Sequence, residues 1–173
     1  MIRSYKGIRP QVPETCYVDE SAQLIGDVVL GEHSSVWMNC VLRGDVHQIR
    51  VGHYSNIQDA TVLHGMKEQY GTYLGDYVTV GHCVVLHGCT IEDRCLIGMG
   101  CLVLNGAVIG RGSIIAAGTL IAEKTIVEPN SLWMGRPGKF RRRLDKDDEA
   151  TILRYADNYV GYKNSYLMES KKP

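Results

Sequence analysis

The sequence lacks the features that mark a membrane or nucleic-acid-binding protein. None of its apolar runs reaches the roughly 18 residues that a membrane span requires. The first residues carry no apolar stretch of the secretory kind, so we expect a cytoplasmic protein. Neither charge is in excess, because 19 Lys and Arg balance 19 Asp and Glu. Bulk charge therefore favours neither nucleic acid nor an anionic membrane as a partner.

Cysteine pairs of the Cys-x-x-Cys type are also missing. Six cysteines are present, and Cys83, Cys89, Cys95 and Cys101 follow one another at intervals of six residues. This interval is the period of a repeat and does not match the spacing of a zinc knuckle. We therefore interpret the cysteines as small reduced thiols packed in an interior.

An aliphatic residue recurs every six positions along most of the chain. No α-helix has this period, and a simple alternating strand has period two. Three such steps form one triangular coil of 18 residues whose aliphatic side chains point inward, and successive coils stack about 4.8 Å apart. The pattern therefore predicts an all-β solenoid. The series is Leu24, Leu30, Val36, Leu42, Val51, Ile57, Leu63, Leu74, Val80, Leu86, Ile91, Ile97, Val103, Ile109, Ile115, Ile121 and Val127.

The repeat suggests two regions. Residues 1–130 are expected to form the solenoid with its N-terminal lead-in, and the widest step, from Leu63 to Leu74, predicts an extra loop on the working face. Residues 131–173 are expected to form a linker and an α-helix that packs on the solenoid or on a neighbouring subunit. Asp145 is the predicted helix cap, because acidic residues follow it in the first turn.

Three histidines occupy informative positions in the repeat. His64 and His87 each follow the third aliphatic residue of a coil, so they should stack in one column with Cα atoms about 4.8 Å apart. His82 lies on a different face, and a neighbour's His82 could complete the site in a threefold oligomer. Three neutral imidazoles with an open position suit catalytic zinc. The other histidines, His33, His47 and His53, are better interpreted as solvated surface residues.

Polar residues flank these histidines in the same register. Arg43 occupies the slot of His64 one coil earlier, and Asp59 shares the slot of His82, with Gln58 beside it. A buried arginine between subunits needs an acidic partner, which could be Asp45 or a neighbour's Asp59. The alternative is that Arg43 and Asp45 form an ordinary tight corner with a surface ion pair.

Taken together, these motifs resemble the gamma-class carbonic anhydrase family over nearly the whole chain. The resemblance implies a left-handed parallel β-helix and a homotrimer with a metal site at each subunit interface. The motifs that carry it are Arg43-Gly44-Asp45, Asn56-Ile57-Gln58-Asp59, Val62-Leu63-His64, Val80-Gly81-His82 and Leu86-His87-Gly88-Cys89.

The resemblance also assigns roles to single residues. It implies zinc, or iron, bound by His64, His82 and His87, and reversible hydration of carbon dioxide by a metal-bound hydroxide. Gln58 matches the residue that orients this hydroxide, and Glu68 is the residue that could act as an acidic proton shuttle. Arg43, Asp45 and Asp59 match an interface ion-pair set. The sequence departs from the family at Val46, where active members carry glutamate.

Two other functions fit parts of the sequence. Gly135-Arg136-Pro137-Gly138-Lys139 resembles the solenoid exit of hexapeptide acyltransferases, and the basic run up to Arg143 could hold a phosphate of acyl-coenzyme A. The same run could be a solvated linker. Val46 and the short loop poor in acidic residues would also suit a non-catalytic, metal-stabilised trimeric scaffold.

Overall fold

The computed structural model describes residues 1–169 as a left-handed parallel β-helix of about seven turns, followed by one α-helix. This is the fold class that the six-residue repeat and the family resemblance predicted. Within residues 1–169, no helix is long and apolar enough to cross a membrane.

The solenoid consists of short strands separated by turns. In chain order the elements are β1 Ile2–Arg3, β2 Tyr17–Val18, β3 Gln23–Leu30, β4 Ser35–Val36, β5 Val41–Val51, β6 Asn56–Ile57, β7 Val62–His64, β8 Thr72–Leu74, β9 Thr79–Val80, β10 Val85–His87, β11 Thr90–Ile91, β12 Leu96–Ile97, β13 Leu102–Val103, β14 Val108–Ile109, β15 Ile114–Ile115, β16 Leu120–Ile121, β17 Ile126–Val127, β18 Ser131–Met134, β19 Lys139–Arg143 and α1 Lys146–Glu169.

The strands form three faces of parallel pairs. The first, which we call the helix face, comprises β2, β4, β6, β9, β12, β15 and β18. The second, the histidine face, comprises residues 23–25 and 41–43 with β7, β10, β13 and β16. The third face comprises residues 28–30 and 49–51 with β8, β11, β14 and β17. The long strands β3 and β5 bend through the corner that joins the last two faces.

The core is the column of side chains that the repeat predicted. Every aliphatic residue of the six-residue series is buried, and none is more than 4% exposed. The cysteines follow the prediction with one exception. Cys16, Cys40, Cys89, Cys95 and Cys101 are buried, whereas Cys83 is exposed. Cys83 lies in a turn with a positive φ of 57°, which carries its side chain to the surface.

The exit from the solenoid contains more structure than an irregular linker. Residues 131–134 form β18, which pairs in parallel with β15, and β19 returns antiparallel to β18. The parallel pairing continues past residue 130 because Trp133 takes the inward position, six residues after Val127, and packs against the core. A tryptophan at this position interrupts an aliphatic series without interrupting the coil.

The C-terminal helix begins where its cap predicted. The Asp145 carboxylate accepts hydrogen bonds from the backbone amides of Asp147 and Asp148, both at 3.0 Å. The helix packs on the helix face, where Ile152 and Ala156 are buried. Farther along, the Trp37 ring contacts the rings of Tyr159 and Tyr166 edge-on.

Candidate metal centre

One column of side chains stands at the end of the histidine face. Parallel pairing sets Arg43 opposite His64, and His64 opposite His87. Each follows a leucine that points into the core, so the three side chains point outward. The stacked arrangement is therefore the one that the register predicted, while the role of the histidines as ligands stays a prediction.

The two imidazoles of this column face each other. His64 Nδ1 lies 3.2 Å from His87 Nε2. The other nitrogen of His64 is 2.9 Å from Asp45 Oδ1. An ionised carboxylate has no proton to donate, so Asp45 is the acceptor of this hydrogen bond. His64 Nε2 therefore carries the proton, and His64 Nδ1 keeps its lone pair.

Asn105 determines the tautomer of His87 in the same way. Its amide nitrogen donates to Glu123 Oε1 at 3.0 Å, which turns the amide oxygen toward His87 Nδ1 at 2.8 Å. His87 Nδ1 therefore carries the proton, and its Nε2 presents a lone pair to His64. The role of Asn105 was not recognised from the sequence, although it lies one 18-residue coil after His87.

This arrangement fits a metal ion. In these tautomers two lone pairs face each other, and a metal cation between them would accept both. Tetrahedral zinc with Zn–N bonds of 2.0–2.1 Å separates two ligand nitrogens by about 3.3 Å, close to the 3.2 Å found here. Burial, opposed by the hydrogen bond to Asp45 and reinforced by Arg43, lowers the pKa of His64 and favours the neutral ligand form.

His82 lies on another corner of the solenoid. It follows β9, and its Nδ1 is 2.9 Å from Asp59 Oδ2, one coil earlier in the same slot. Within residues 1–169, no group of three or more His, Cys, Asp or Glu side chains is placed to hold a metal. One chain thus brings His64 and His87 together but holds His82 apart, as the register predicted.

All three imidazoles share one feature. Each has one ring nitrogen against the oxygen of a carboxylate or amide, and these oxygens belong to Asp45, Asn105 and Asp59. For His64 and His87 the contact is a hydrogen bond, and metal-binding histidines are typically oriented by such a bond, because it selects the tautomer and aims the second nitrogen.

The predicted ion pair forms within one chain. Arg43 Nη1 lies 2.6 Å from Asp45 Oδ2, so Asp45 bridges Arg43 and His64. Although burial raises its pKa, the hydrogen bonds from Arg43 and His64 outweigh this and lower the pKa of Asp45 below its ordinary value. Asp59 contacts His82 in the same chain, and its pairing with a neighbour's Arg43 stays a prediction.

The two predicted catalytic residues occupy different surroundings. Gln58 is only 6% exposed, and its amide donates to Asn56 Oδ1 at 3.1 Å. It lines a cavity together with His82, and is therefore on the side of the third histidine. Glu68 lies in the loop after His64, with a side chain that is 80% exposed and 3.5 Å from Lys67.

Comparisons with known proteins identify relatives that match most of the chain. A family model described as bacterial transferase hexapeptide (six repeats) matches residues 88–123. A Methanocaldococcus jannaschii protein named "Probable carbonic anhydrase" is 50% identical over 155 residues, covering 90% of this chain and 96% of that protein. "Gamma carbonic anhydrase 2, mitochondrial" of Arabidopsis thaliana is 41% identical over 168 residues, which cover 94% of this chain and 60% of that protein.

A solved structure shares the fold at comparable identity. The crystal structure of a hexapeptide transferase family protein from Anaplasma phagocytophilum is 39% identical, with a TM-score of 0.92. The match covers 95% of this chain and 97% of that one. Relatives of this chain thus carry both carbonic anhydrase and transferase names.

Proposed function

The chain belongs to the gamma carbonic anhydrase family, and on this premise we propose that it forms a trimer, binds metal between subunits and hydrates carbon dioxide reversibly. The proposed metal is zinc, or iron, held by His64 and His87 of one copy and His82 of the next. The observation that carries this proposal is the 3.2 Å approach of two imidazole lone pairs whose opposite nitrogens are held by Asp45 and Asn105.

A trimer is supported by the outward side of the histidine face. Five aliphatic side chains stack there in register, while α1 covers the helix face instead. An aliphatic stripe of this kind is typical of a surface that a second copy covers. Its residues are Val41, Val62, Val85, Leu102 and Leu120.

The residues around the histidines suit the proposed chemistry. When bound, the metal supplies a Lewis acid that lets a water ionise near neutral pH. Asp45 and Asn105 hold His64 and His87 in the tautomers that binding requires, and the Asp59 carboxylate lies 2.9 Å from His82 Nδ1. Gln58 keeps a fixed amide direction because it donates to Asn56, whose own amide donates to Thr79 Oγ1 at 2.9 Å. We assign Gln58 the orientation of the reacting oxygen.

The proton that the reaction releases needs a route to solvent. Val46 cannot carry it, since its side chain is aliphatic. Glu68 is an exposed carboxylate four residues after His64, and we assign it the transfer of this proton to buffer.

The test is stopped-flow hydration of carbon dioxide by zinc- or iron-loaded protein, together with the metal content per subunit. We expect about one metal per subunit in the wild type, and a loss of metal and of about 100-fold or more in kcat/KM in His82→Ala. His53→Ala is the matched control, because His53 is an exposed histidine outside the column. A metal-free protein with full activity would refute the proposal.

The same assay examines Glu68. Glu68→Gln should lower kcat in dilute buffer and leave kcat/KM unchanged, and concentrated imidazole buffer should restore kcat. An unchanged kcat in dilute buffer would remove Glu68 from the mechanism.

Two other functions can be distinguished by measurements on the same metal-loaded protein. An acyltransferase is favoured by the exposed basic residues of the β18–β19 hairpin, Arg136, Lys139 and Arg141, and would release coenzyme A thiol from acyl-coenzyme A. A non-catalytic scaffold would retain full metal content and show neither activity.

A further inference from the structure

A groove runs between the helix face and α1. It encloses about 360 Å³, and we call it the helix groove. The solenoid provides its floor, and Tyr155 and Tyr159 of α1 provide one wall. Residues that define it are Gln58, His82, Gly98, Ala117, Tyr155 and Tyr159.

The floor is open because small residues stack along it. Gly81, Gly98 and Ala116 occupy the slot of Gln58 in the three following coils. A Cβ at Gly98 would lie 2.5 Å from the backbone nitrogen of Ala117. Glycine is therefore required at position 98, and the small residues of this slot leave the middle of the groove floor open.

The groove is elongated and differs at its two ends. It extends over three coil steps from Gln58 to Ala117, which corresponds to about 14 Å along the solenoid axis. Leu96, Ile114 and Met99 make most of the lining apolar. The Gln58 amide and the His82 imidazole lie at one end, where the metal site is proposed.

The groove is much larger than carbon dioxide, which has only three atoms. We propose that the helix groove binds the aliphatic tail of a monocarboxylate whose carboxylate lies at the Gln58 and His82 end. A carboxylate has the shape and charge of bicarbonate, so it suits that end, and the apolar floor suits the tail. The carboxylate part of this inference rests on the proposed function, whereas the tail part rests on the groove alone.

Tyr159 lies at this end of the helix groove, within the electrostatic influence of Asp59. Burial, together with the negative charge of Asp59, raises the pKa of Tyr159 to about 12. Its hydroxyl therefore stays protonated at neutral pH, and because Asp59 is negatively charged at this end, a bound carboxylate would depend on the proposed metal cation as its charge partner.

The experiment is calorimetric titration of the metal-loaded trimer with acetate, butanoate, hexanoate, octanoate and decanoate. Affinity should rise by up to about fourfold for each added methylene, which corresponds to about 0.8 kcal/mol, and should level off where the groove ends. A parallel series of 1-alkanols on metal-free protein measures the tail contribution without the metal.

Ala117→Phe introduces a bulky ring at an exposed position that lines the groove. We expect it to abolish the chain-length dependence in both series. Ala150→Phe, an exposed alanine of α1 outside the groove, should retain it. If octanol binds metal-free protein but no metal can be loaded, the groove is supported and the proposed function fails. An affinity independent of chain length in wild-type protein, or equal chain-length dependence in Ala117→Phe, would overturn the inference.

Discussion

At the scale of single residues, the site is organised by the oxygens behind the histidines. Asp45 holds His64, Asn105 holds His87 and Asp59 holds His82, each through one ring nitrogen. Because the oxygens of Asp45 and Asn105 decide which nitrogen of His64 and His87 keeps a lone pair, they strengthen these imidazoles as metal ligands.

Asn105 provides a direct test at this scale. Asn105→Ala removes the acceptor that holds the His87 proton, so we expect metal affinity to fall about 10- to 100-fold. Competition with a chromophoric chelator measures the change. Asn105→Asp keeps an acceptor at the same position and should retain most of the affinity. Equal affinity of Asn105→Ala and the wild type would show that Asn105 does not position His87.

At the scale of elements, the hairpin and the helix are joined at one point. Arg142 of β19 forms two hydrogen bonds with the Asp148 carboxylate, at 2.5 and 3.0 Å. Asp148 also accepts from the Asp145 backbone amide at 3.0 Å, and Asp145 caps the helix in return. This contact fixes where α1 begins and hence helps to place the wall of the helix groove.

The pH dependence of stability tests this junction. The hydrogen bonds from Arg142 and from the Asp145 backbone lower the pKa of Asp148 from 3.8 to about 2. A carboxyl group with a depressed folded pKa stabilises the protein above the unfolded pKa, and this contribution is lost as the pH falls from about 4 toward 2.

Asp148→Asn should therefore lower the free energy of unfolding by about 1 kcal/mol at pH 7, a value reduced for the solvent exposure of Arg142. Urea denaturation at pH 7, 4 and 3 should show the difference from wild type shrinking with pH. Asp147→Asn, in the same helical turn and exposed, is the control. A difference that persists unchanged at pH 3 would contradict the assigned charge effect.

At the scale of the whole molecule, the proposed site is divided between copies of the chain. His64 and His87 stand on one corner and His82 on another, so a single subunit offers two ligands in one place and one in another. Assembly is then a condition of metal binding, and the aliphatic stripe on the histidine face is the surface we expect to drive it.

Mixed trimers test this division. His82→Ala and His87→Ala each lose every site as homotrimers, but a mixed trimer has one interface with all three histidines. Co-refolding equal amounts should restore metal to about a quarter of the wild-type level, as random assembly of a cyclic trimer requires. A site built within one chain would give no recovery.

Much of the fold was predictable because every step of the repeat places an aliphatic residue at the same inward position. An aliphatic residue every six positions predicted the core from Leu24 to Val127, all of which is buried. The coil that contains Trp133 was missed, since an aromatic residue fills the inward position there. Cys83 was misplaced for a related reason, because its turn conformation and not its spacing carries it outward.

The sequence by itself determined the solenoid, the column of Arg43, His64 and His87, and the separation of His82, because register in a regular coil converts spacing directly into position. Only the tertiary structure decided that Asn105 orients His87 and that α1 leaves a groove beside Gln58 and His82. The first depends on the orientation of the Asn105 amide, and the second on how α1 docks against the helix face. Both are decided by contacts between residues that the six-residue repeat does not connect.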